Sequence, residues 1–267
     1  TYHTKGVRNK YVFRYMDEYK LTSFLESKGL YMPAMYRFED KLEGISTYDI
    51  TEVRTAYDIC FIHNDKDINP ELLGRWRDLK KESKKKLKNI AQKLSNTQSA
   101  HYVSCWFNSN RESDGMWRFY AKENGFAVKI DRKKFQRTVK KSLDSNIENE
   151  SQRVVVGRIK YQDYPKVIEN ERANTVLYLA FRKDLSFSHE KEYRVVMIDT
   201  NNVDKPDHVL YKLDNFKDLP IIIITHPAMT EGLFKKYKKQ FESLGTNITV
   251  QKSELEPFYQ FYDRLKK

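Results

Sequence analysis

The sequence predicts an α+β fold: a single domain over residues 1–267, built on a mixed or antiparallel β-sheet that can be split, with helices flanking it. Three observations predict this class. Period-two strand patterns and helical stripes alternate along the chain. The C-terminal part closes with a strand–helix–strand unit. A long basic helical pattern is inserted at about residues 69–97, and no Pro-, Gly- or Ser-rich linker divides the chain.

The N-terminal elements follow from local periodicity. Residues 10–17, KYVFRYMD, alternate aromatic and polar side chains and predict a strand. The next segment places three apolar residues at helical spacing before Gly29, which predicts a helix and its end. Residues 30–38 return to an extended pattern, in which Pro33 favours an edge or a bend. Residues 51–68 show no clear period.

Residues 70–95 predict one long helix. Apolar or small side chains recur along it at steps of three and four, which predicts one buried stripe. The stripe consists of Leu72, Trp76, Leu79, Ser83, Leu87, Ile90 and Leu94. The remaining faces carry Lys and Arg, so we expect an inserted helix that packs along one side of the domain.

The central and C-terminal elements are predicted in the same way. The predicted strands are 100–108, FAVKID, 152–164, LPIIIITHP and TNITVQKS. The predicted helices are ESDGMWRFYAKEN before Gly125, the basic segment RKKFQRTVKKSL, residues 173–184, and TEGLFKKYKKQFESL before Gly245.

The charge balance favours a polyanionic partner. The net charge is +12 and the pI is about 9.4, which favours nucleic acid or the ribosome as the partner of a basic surface. A lysine-rich face that only meets solvent is the alternative, because no sequence-reading motif accompanies the charge. No run of about 18 apolar residues is present, so we expect no membrane span.

The two cysteines bear on the cellular compartment. Cys60 and Cys105 both lie within apolar runs, and no charged-then-apolar leader is present in the sequence. We therefore expect reduced thiols and a cytoplasmic protein.

Several chemistries lack their sequence signatures. The chain contains no P-loop, GxGxxG, CxxC, HExxH or GxSxG motif. Its six histidines show no metal-ligand spacing, and Asp65 and Asp67 lack the Gly and the final Glu of a calcium loop. The zinc, nucleoside-triphosphate and serine-hydrolase classes are therefore excluded, and we expect no metal cofactor.

Charged residues alternate in the segment 186–199, SFSHEKEYRVVMID. Side chains in a strand repeat with period two, so Glu190, Glu192 and Arg194 are expected on one face, with the two carboxylates about 7 Å apart. Neighbouring carboxylates raise each other's pKa unless a cation relieves them, and Arg194 can supply that cation. The pattern fits either a surface ion-pair ladder or a catalytic site.

Three other clusters carry polar groups. Arg14, followed by Tyr15, fits either a phosphate clamp or an arginine stacked on aromatic rings. The acidic turn at 37–44 fits either a helix cap or a carboxylate that supports a site or a metal. The stretch around Trp106, Trp117 and Tyr120 fits either core packing or a wall for a stacked ring.

These segments, in this order, resemble the bacterial proteins that share the domain of unknown function DUF2971. The segments are YVFRY, LTSFLESKGLYMPAMYRFEDKLEG, SCWFNSNRESDGMWRFYAKENGFAVKID and FSHEKEYRVVM, which run through most of the chain outside the charged helix. The family pattern includes a Met-Trp-x-x-Tyr-Ala helix that leads to Gly-Phe, and a late Tyr-Glu-x-Glu-Trp/Tyr-Arg strand. Glu39, Trp106 and His189 depart from it, at positions where the family often has Asn, Phe and Tyr.

The order of the motifs is also similar to that of ADP-ribosyltransferases. This similarity implies that NAD is consumed, with Glu192 stabilising the oxocarbenium-like transition state, Glu190 orienting the acceptor and Arg14 holding NAD. The implied catalytic group is Glu192, Glu190 and Arg194, and the implied cofactor-binding group is Arg14, Tyr15, Ser104, Trp117 and Tyr120. A carboxylate suits this role because cleavage of the glycosidic bond develops positive charge on the ribose.

Three functions follow as hypotheses. The first is an ADP-ribosyltransferase or NAD glycohydrolase that acts as a bacterial toxin or anti-phage defence effector. The second is a metal-dependent nuclease in which Asp40, Glu43, Glu190 and Glu192 converge on a divalent ion. The third is a non-enzymatic module that binds nucleic acid through the helix at 70–95.

Overall fold

The computed structural model describes residues 9–121, 124–166, 176–201 and 205–265. The strands are β1 Tyr11–Met16, β2 Gly29–Pro33, β3 His101–Ser109, β4 Phe126–Asp131, β5 Gln152–Arg158, β6 Lys160–Gln162, β7 Arg182–Asp184, β8 Glu192–Asp199, β9 His208–Lys212, β10 Ile221–Thr225 and β11 Ile248–Lys252. The helices are α1 Glu18–Ser27, α2 Thr47–Tyr57, α3 Leu73–Ala100, α4 Asp114–Met116, α5 Arg132–Lys141, α6 Val176–Leu179, α7 Glu231–Glu242 and α8 Glu256–Leu265. The predicted α+β class is confirmed.

One seven-stranded sheet carries the fold, with the strand order β11-β10-β4-β1-β3-β8-β5. Neighbouring strands are antiparallel except β10 and β11, which are parallel because α7 connects them in a strand–helix–strand unit. Two small sheets, β2–β9 and β6–β7, lie apart from it. The sheet is therefore mixed, as the sequence predicts.

The strand register separates the side chains of this sheet onto two faces. On the first face, Trp106 packs against Phe24 of α1 and Phe135 of α5, with ring centroids 6.3 and 4.6 Å apart, and Phe126 packs against Phe241 of α7 at 5.4 Å. The second face holds two smaller apolar clusters, one around Trp117 of the turn after α4 and the other beside it. All eight residues of β8 are buried, so this strand lies between the two layers.

The helical excursion consists of α2 and α3, which lie side by side. Ser46 caps α2 by accepting a hydrogen bond from the Asp49 backbone N–H at 3.0 Å. The apolar stripe of α3 is only partly covered: Ile90 is buried, whereas Leu72 and Leu79 are 50% and 42% exposed. The ion pairs between the two helices join the middle of α3 to α2. Towards the N-terminal end of α3, the side chains of the stripe become exposed to solvent. The predicted buried stripe is therefore correct for the middle of the helix and wrong near its start.

The strand predicted at 152–164 and the helix predicted at 173–184 differ from the structure, and one helix of the structure has no predicted counterpart. The strand predicted at 152–164 is interrupted at Ile159 and continues as the separate strand β6. The helix predicted at 173–184 falls partly outside the described residues, and its described part is one helical turn followed by β7. Helix α8 was not predicted. In the described ranges, no helix is both long and apolar enough to cross a membrane.

Candidate functional site

The predicted strand over 186–199 begins only at Glu192 in the structure. Residues 185–190 form a 3-10 helix, and Lys191 takes a left-handed backbone conformation with φ of 42° before β8 starts. Alternation is therefore broken between the two glutamates, and the prediction that Glu190 lies on the strand is wrong. The prediction that Glu192 and Arg194 share a face is correct, because both point to the second face of the sheet beside Phe107 and Cys105.

Arg194 is the centre of a buried group of charges. Its Nε donates to Glu192 Oε2 at 2.7 Å and its Nη2 to Glu192 Oε1 at 3.0 Å. Its two Nη atoms also donate to the Glu43 carboxylate at 2.9 and 2.8 Å, and Nη1 donates to the Ala180 carbonyl at 2.8 Å. These bonds use all five N–H donors of a guanidinium. Arg194 is 0% exposed, and burial of this charge is tolerated because two carboxylates face it.

Lys183 supplies a second cation to the same carboxylates. Its Nζ lies 2.6 Å from Glu190 Oε2, 3.0 Å from Glu192 Oε1 and 3.4 Å from Glu43 Oε1. It comes from β7, which pairs with β6 rather than with the main sheet. We call Glu43, Lys183, Glu190, Glu192 and Arg194 the glutamate network. With every member ionised, its three carboxylates and two cations leave one net negative charge.

Glu190 is the member of the network that differs from the other two carboxylates. It forms no hydrogen bond or ion pair with Arg194 and instead accepts a hydrogen bond from the Tyr120 hydroxyl at 2.8 Å. Tyr120 is 45% exposed and Phe119 beside it is 72% exposed. The ring of Phe119 lies 6.4 Å from that of the exposed His189. Glu190 therefore lies where the network approaches the surface, beside exposed aromatic rings.

The two neighbouring glutamates have pKa values that move in opposite directions. Burial raises the pKa of Glu190, and the adjacent Glu192 raises it further against the hydrogen bond from Lys183. Burial alone would also raise the pKa of Glu192, but the charge and hydrogen bonds of Arg194, followed by the charge of Lys183, hold that pKa well below its usual range. Arg194 therefore favours the carboxylate form of Glu192, and Glu190 binds a proton more readily than Glu192 does.

Local structure explains how Glu43 reaches this network. It lies in a turn whose next residue, Gly44, has φ of 83°, a conformation that glycine adopts without strain. Gln98 of α3 fixes the turn by donating to the carbonyls of Lys41 and Glu43, both at 3.0 Å. The excursion therefore holds Glu43 against Arg194, since α3 fixes the turn that carries it.

The structure does not bring Arg14 and Ser104 to the glutamate network. The Arg14 Nη1 donates to Ser104 Oγ at 2.8 Å, and the guanidinium lies 5.8 Å from the ring of Trp106. By the register of β3 and β8, Ser104 pairs with Val195 and lies on the first face, opposite the face that carries Glu192. Arg14 is therefore an arginine that lies over the aromatic ring of Trp106, which is one of the two interpretations that the sequence left open.

The other predicted ligand-binding residues are the aromatics Tyr15, Trp117 and Tyr120. Tyr15 and Trp117 pack edge to face at 4.9 Å on the second face, and the buried Trp117 donates from Nε1 to Glu112 at 2.9 Å. These contacts satisfy the polar group of Trp117 within the core. Of the predicted cofactor-binding group, only Tyr120 contacts the glutamate network.

The carboxylates of the network are poor ligands for a divalent ion as they stand. Their oxygens already accept hydrogen bonds from Lys183 and Arg194, and Asp40 accepts from the Leu42 backbone N–H instead of joining them. Within the described part of the chain, no group of three or more His, Cys, Asp or Glu side chains is placed to hold a metal ion. The arrangement does not fit the metal-centred nuclease hypothesis.

Sequence reasoning missed two contributors to this site. Lys183 falls in a segment whose pattern predicted a helix, so no strand period marked it as a partner of Glu192. The hydroxyl of Tyr161, on β6, accepts a hydrogen bond from the Glu192 backbone N–H at 2.9 Å. A lysine next to apolar residues in LAFRKD was the one available signal, since buried lysines need a partner.

The fold and the site together define an α+β protein with a buried Glu–Lys–Arg network at the start of the interior strand β8. Residues 116–195 match the family described as Protein of unknown function (DUF2971). This segment contains Tyr120, Lys183, Glu190, Glu192 and Arg194, so the match confirms the predicted resemblance over residues 116–195 and includes four of the five members of the glutamate network. No curated protein and no solved structure matches the chain.

Proposed function

We propose that the protein is an enzyme that cleaves a glycosidic bond, with NAD as its substrate, and that Glu190 is its acting carboxyl group. One observation carries this proposal: two adjacent glutamates have different partners and pKa values shifted in opposite directions, with Glu192 bound by Arg194 and Glu190 bound by Lys183 and Tyr120. Neighbouring carboxyls whose pKa values are driven apart are the usual arrangement of an acid–base pair in glycosidic chemistry.

The charge balance of the network supports this chemistry. Breaking the bond between ribose and nicotinamide develops positive charge on the ribose, which a nearby carboxylate stabilises. The network carries one net negative charge when all its members are ionised, and Glu190 is its outermost carboxylate. A buried ion-pair network of this kind adds little to the free energy of folding, because apolar residues of similar volume stabilise a protein as well or better. A chemical role accounts for its presence more directly.

The central role falls to Glu190 and not to Glu192, the residue that the similarity to ADP-ribosyltransferases implied. Both oxygens of Glu192 accept hydrogen bonds from Arg194, and one also accepts from Lys183, so we assign Glu192 a positioning role. Arg14 and Ser104 have no part in this proposal, since they lie on the other face of the sheet. The exposed rings of Phe119 and Tyr120 are the surfaces on which a flat base or nicotinamide ring would stack.

The acceptor and the cellular role belong to the same proposal. We propose nucleic acid or the ribosome as the acceptor of an ADP-ribosyl group, because the chain carries a net charge of +12. Consumption of NAD would suit a bacterial toxin or an anti-phage defence effector. A cytoplasmic location fits the two free thiols of Cys60 and Cys105.

Nicotinamide release from NAD tests the proposal directly. The wild type, Glu190→Gln and the exposed-site control Lys166→Gln are incubated with NAD, alone and with protein, RNA and DNA acceptors, and the products are separated by chromatography. We expect Glu190→Gln to lose about 10²–10⁴-fold in rate, the usual contribution of a positioned acid or base, and Lys166→Gln to match the wild type. A wild type that consumes no NAD with any acceptor, or an equally active Glu190→Gln, overturns the proposal.

A further inference from the structure

The lysines of α3 fall into two classes according to what faces them. Three of them form ion pairs with acidic residues of α2 or of the segment between the two helices. These pairs are Lys80–Asp65 at 3.0 Å, Lys86–Glu52, and Lys93–Asp49 at 2.6 Å. Their charges are therefore neutralised where the two helices meet.

Four further lysines of the same helix face outward. Lys81, Lys84, Lys85 and Lys88 are all exposed, and no carboxylate of the described residues lies within ion-pair distance of them. Their spacing is i, i+3, i+4 and i+7, which places all four on one face of a helix within about two turns. Like charges at these spacings repel one another, and binding of a polyanion would remove that repulsion. We call these four residues the outer lysine face.

The opposite side of α3 at this level carries small or apolar side chains and is already covered. Ser83 and Ile90 are buried, and Leu94 packs with Ile45 and Ile50 next to α2. By helical geometry these residues lie on the other side of the helix from the outer lysine face. A helix that binds a membrane surface needs exposed apolar side chains beside its basic ones. The outer lysine face has none, so its chemistry suits a solvated polyanion rather than a bilayer.

We infer that the outer lysine face binds the phosphate backbone of a nucleic acid. Four regularly spaced point charges, none within ion-pair distance of a carboxylate of the described residues, complement a phosphate backbone along a helix of 28 residues. A nucleic-acid contact at this face would also serve the acceptor proposed above, but it does not depend on the glycosidic chemistry, because the lysines share no residue with the glutamate network.

Two quadruple variants test the inference at equal net charge. One changes Lys81, Lys84, Lys85 and Lys88 to Gln, which keeps a good helix former at each position. The matched control changes Lys235, Lys236, Lys238 and Lys239 of α7 to Gln, since these lysines are also exposed on a helix. Circular dichroism and thermal melting check that both variants keep the fold.

Binding is measured by fluorescence anisotropy with labelled 20-nucleotide single-stranded DNA, single-stranded RNA and duplex DNA over a range of salt concentrations. We expect the α3 variant to lose at least tenfold in affinity and to lower the salt slope by up to about 3 on single strands, from about 0.7 per phosphate contact. The α7 variant is expected to change affinity by less than threefold, and Glu190→Gln to bind as the wild type does. Binding to any of the three probes with this pattern supports the inference, and the tightest probe identifies the nucleic acid.

Three results would overturn it. The first is a wild type that binds none of the three probes at low salt. The second is an equal loss of affinity in the α3 and α7 variants, which would make the effect one of net charge alone. The third is binding confined to vesicles of phosphatidylcholine and phosphatidylserine, or to acidic proteins, which would assign the face to another class of partner. Because NAD consumption is measured separately, none of these results bears on the role of Glu190.

Discussion

Arg194 and Glu43 are 151 positions apart in the sequence and form a two-bond pair, Nη1 to Oε2 at 2.9 Å and Nη2 to Oε1 at 2.8 Å. Both side chains are almost completely buried. The pair joins β8 to the turn that precedes α2. Through it, the helical excursion is fixed to the sheet at the glutamate network.

The first prediction concerns this pair. Glu43→Ala removes two acceptors from a buried guanidinium and leaves its charge partly unpaired, which we expect to lower the free energy of unfolding by about 3–5 kcal/mol. Urea denaturation measures the loss. The control is Lys166→Ala, which breaks the exposed ion pair with Asp163 at 3.0 Å and should change stability by less than about 1 kcal/mol. Equal losses in the two variants would show that the buried pair contributes no more than a surface one.

The second prediction contrasts the two neighbouring glutamates. The folded state lowers the pKa of Glu192, so its contribution to stability is present above the ordinary value of 4.5 and is lost as pH falls below it. The folded state raises the pKa of Glu190, so its ionisation opposes folding at neutral pH, and this penalty disappears in acid. We expect Glu192→Gln to lose about 3–5 kcal/mol at pH 7, and Glu190→Gln to stay within about 1 kcal/mol of the wild type.

Denaturant unfolding at a series of pH values from 3 to 8 checks this contrast. The wild type should lose stability below pH 4.5, and this part of the loss should be smaller in Glu192→Gln because the titrating group is gone. A Glu190→Gln variant that is destabilised as strongly as Glu192→Gln would contradict the assignment of Glu190 as the less firmly held carboxylate.

Part of this site could be predicted from sequence because it depends on local periodicity. The period of two in β8 places Glu192 and Arg194 on one face, as the structure has it. The same rule fails for Glu190, because Lys191 takes a positive φ, which a non-glycine residue rarely does and the sequence does not signal. Glu43 lies 151 positions from Arg194. Lys183 lies in a segment whose pattern predicts a helix instead of a strand. No local pattern therefore connects either residue to Arg194.

For the fold as well, features with local sequence signals were predicted and features that depend on distant segments were not. The strand–helix–strand unit of β10, α7 and β11 has strong local signals and was predicted correctly. The register between β3 and β8, which puts Ser104 on the face opposite Glu192, depends on pairing between segments distant in the sequence. Motif order along the chain therefore could not show that Arg14 and Ser104 lie away from the glutamate network.

The third prediction concerns Tyr120, whose hydroxyl donates to Glu190 at 2.8 Å. This hydrogen bond stabilises the carboxylate, so Tyr120→Phe should raise the pKa of Glu190 further. Carbon-13 NMR titration of labelled glutamate side chains measures this shift without relying on activity. Stability should change by less than about 1.5 kcal/mol, the net contribution of one hydrogen bond.

Tyr19→Phe, at a residue that is 82% exposed, is the control and should leave the titration unchanged. A titration of Glu190 that is the same in Tyr120→Phe and the wild type would refute the prediction.

The fourth prediction concerns Gly44, which follows Glu43 in the turn. Its φ of 83° disfavours any side chain, and an added Cβ would lie 2.5 Å from Cε of Met35, a residue that is itself fully buried. We expect Gly44→Ala to lower the free energy of unfolding by about 1–3 kcal/mol, since both backbone strain and the clash oppose it. Gly74→Ala is the matched control, because nothing lies within 4 Å of its added Cβ at the start of α3. That substitution should stabilise the protein by up to about 1 kcal/mol.

Thermal and urea unfolding of the two variants measure the difference, and equal effects would mean that the turn holding Glu43 tolerates a side chain. Since Gly44 adjoins Glu43, we also expect Gly44→Ala, and not Gly74→Ala, to disturb the pairing with Arg194 and so to alter the carbon-13 titration of Glu190.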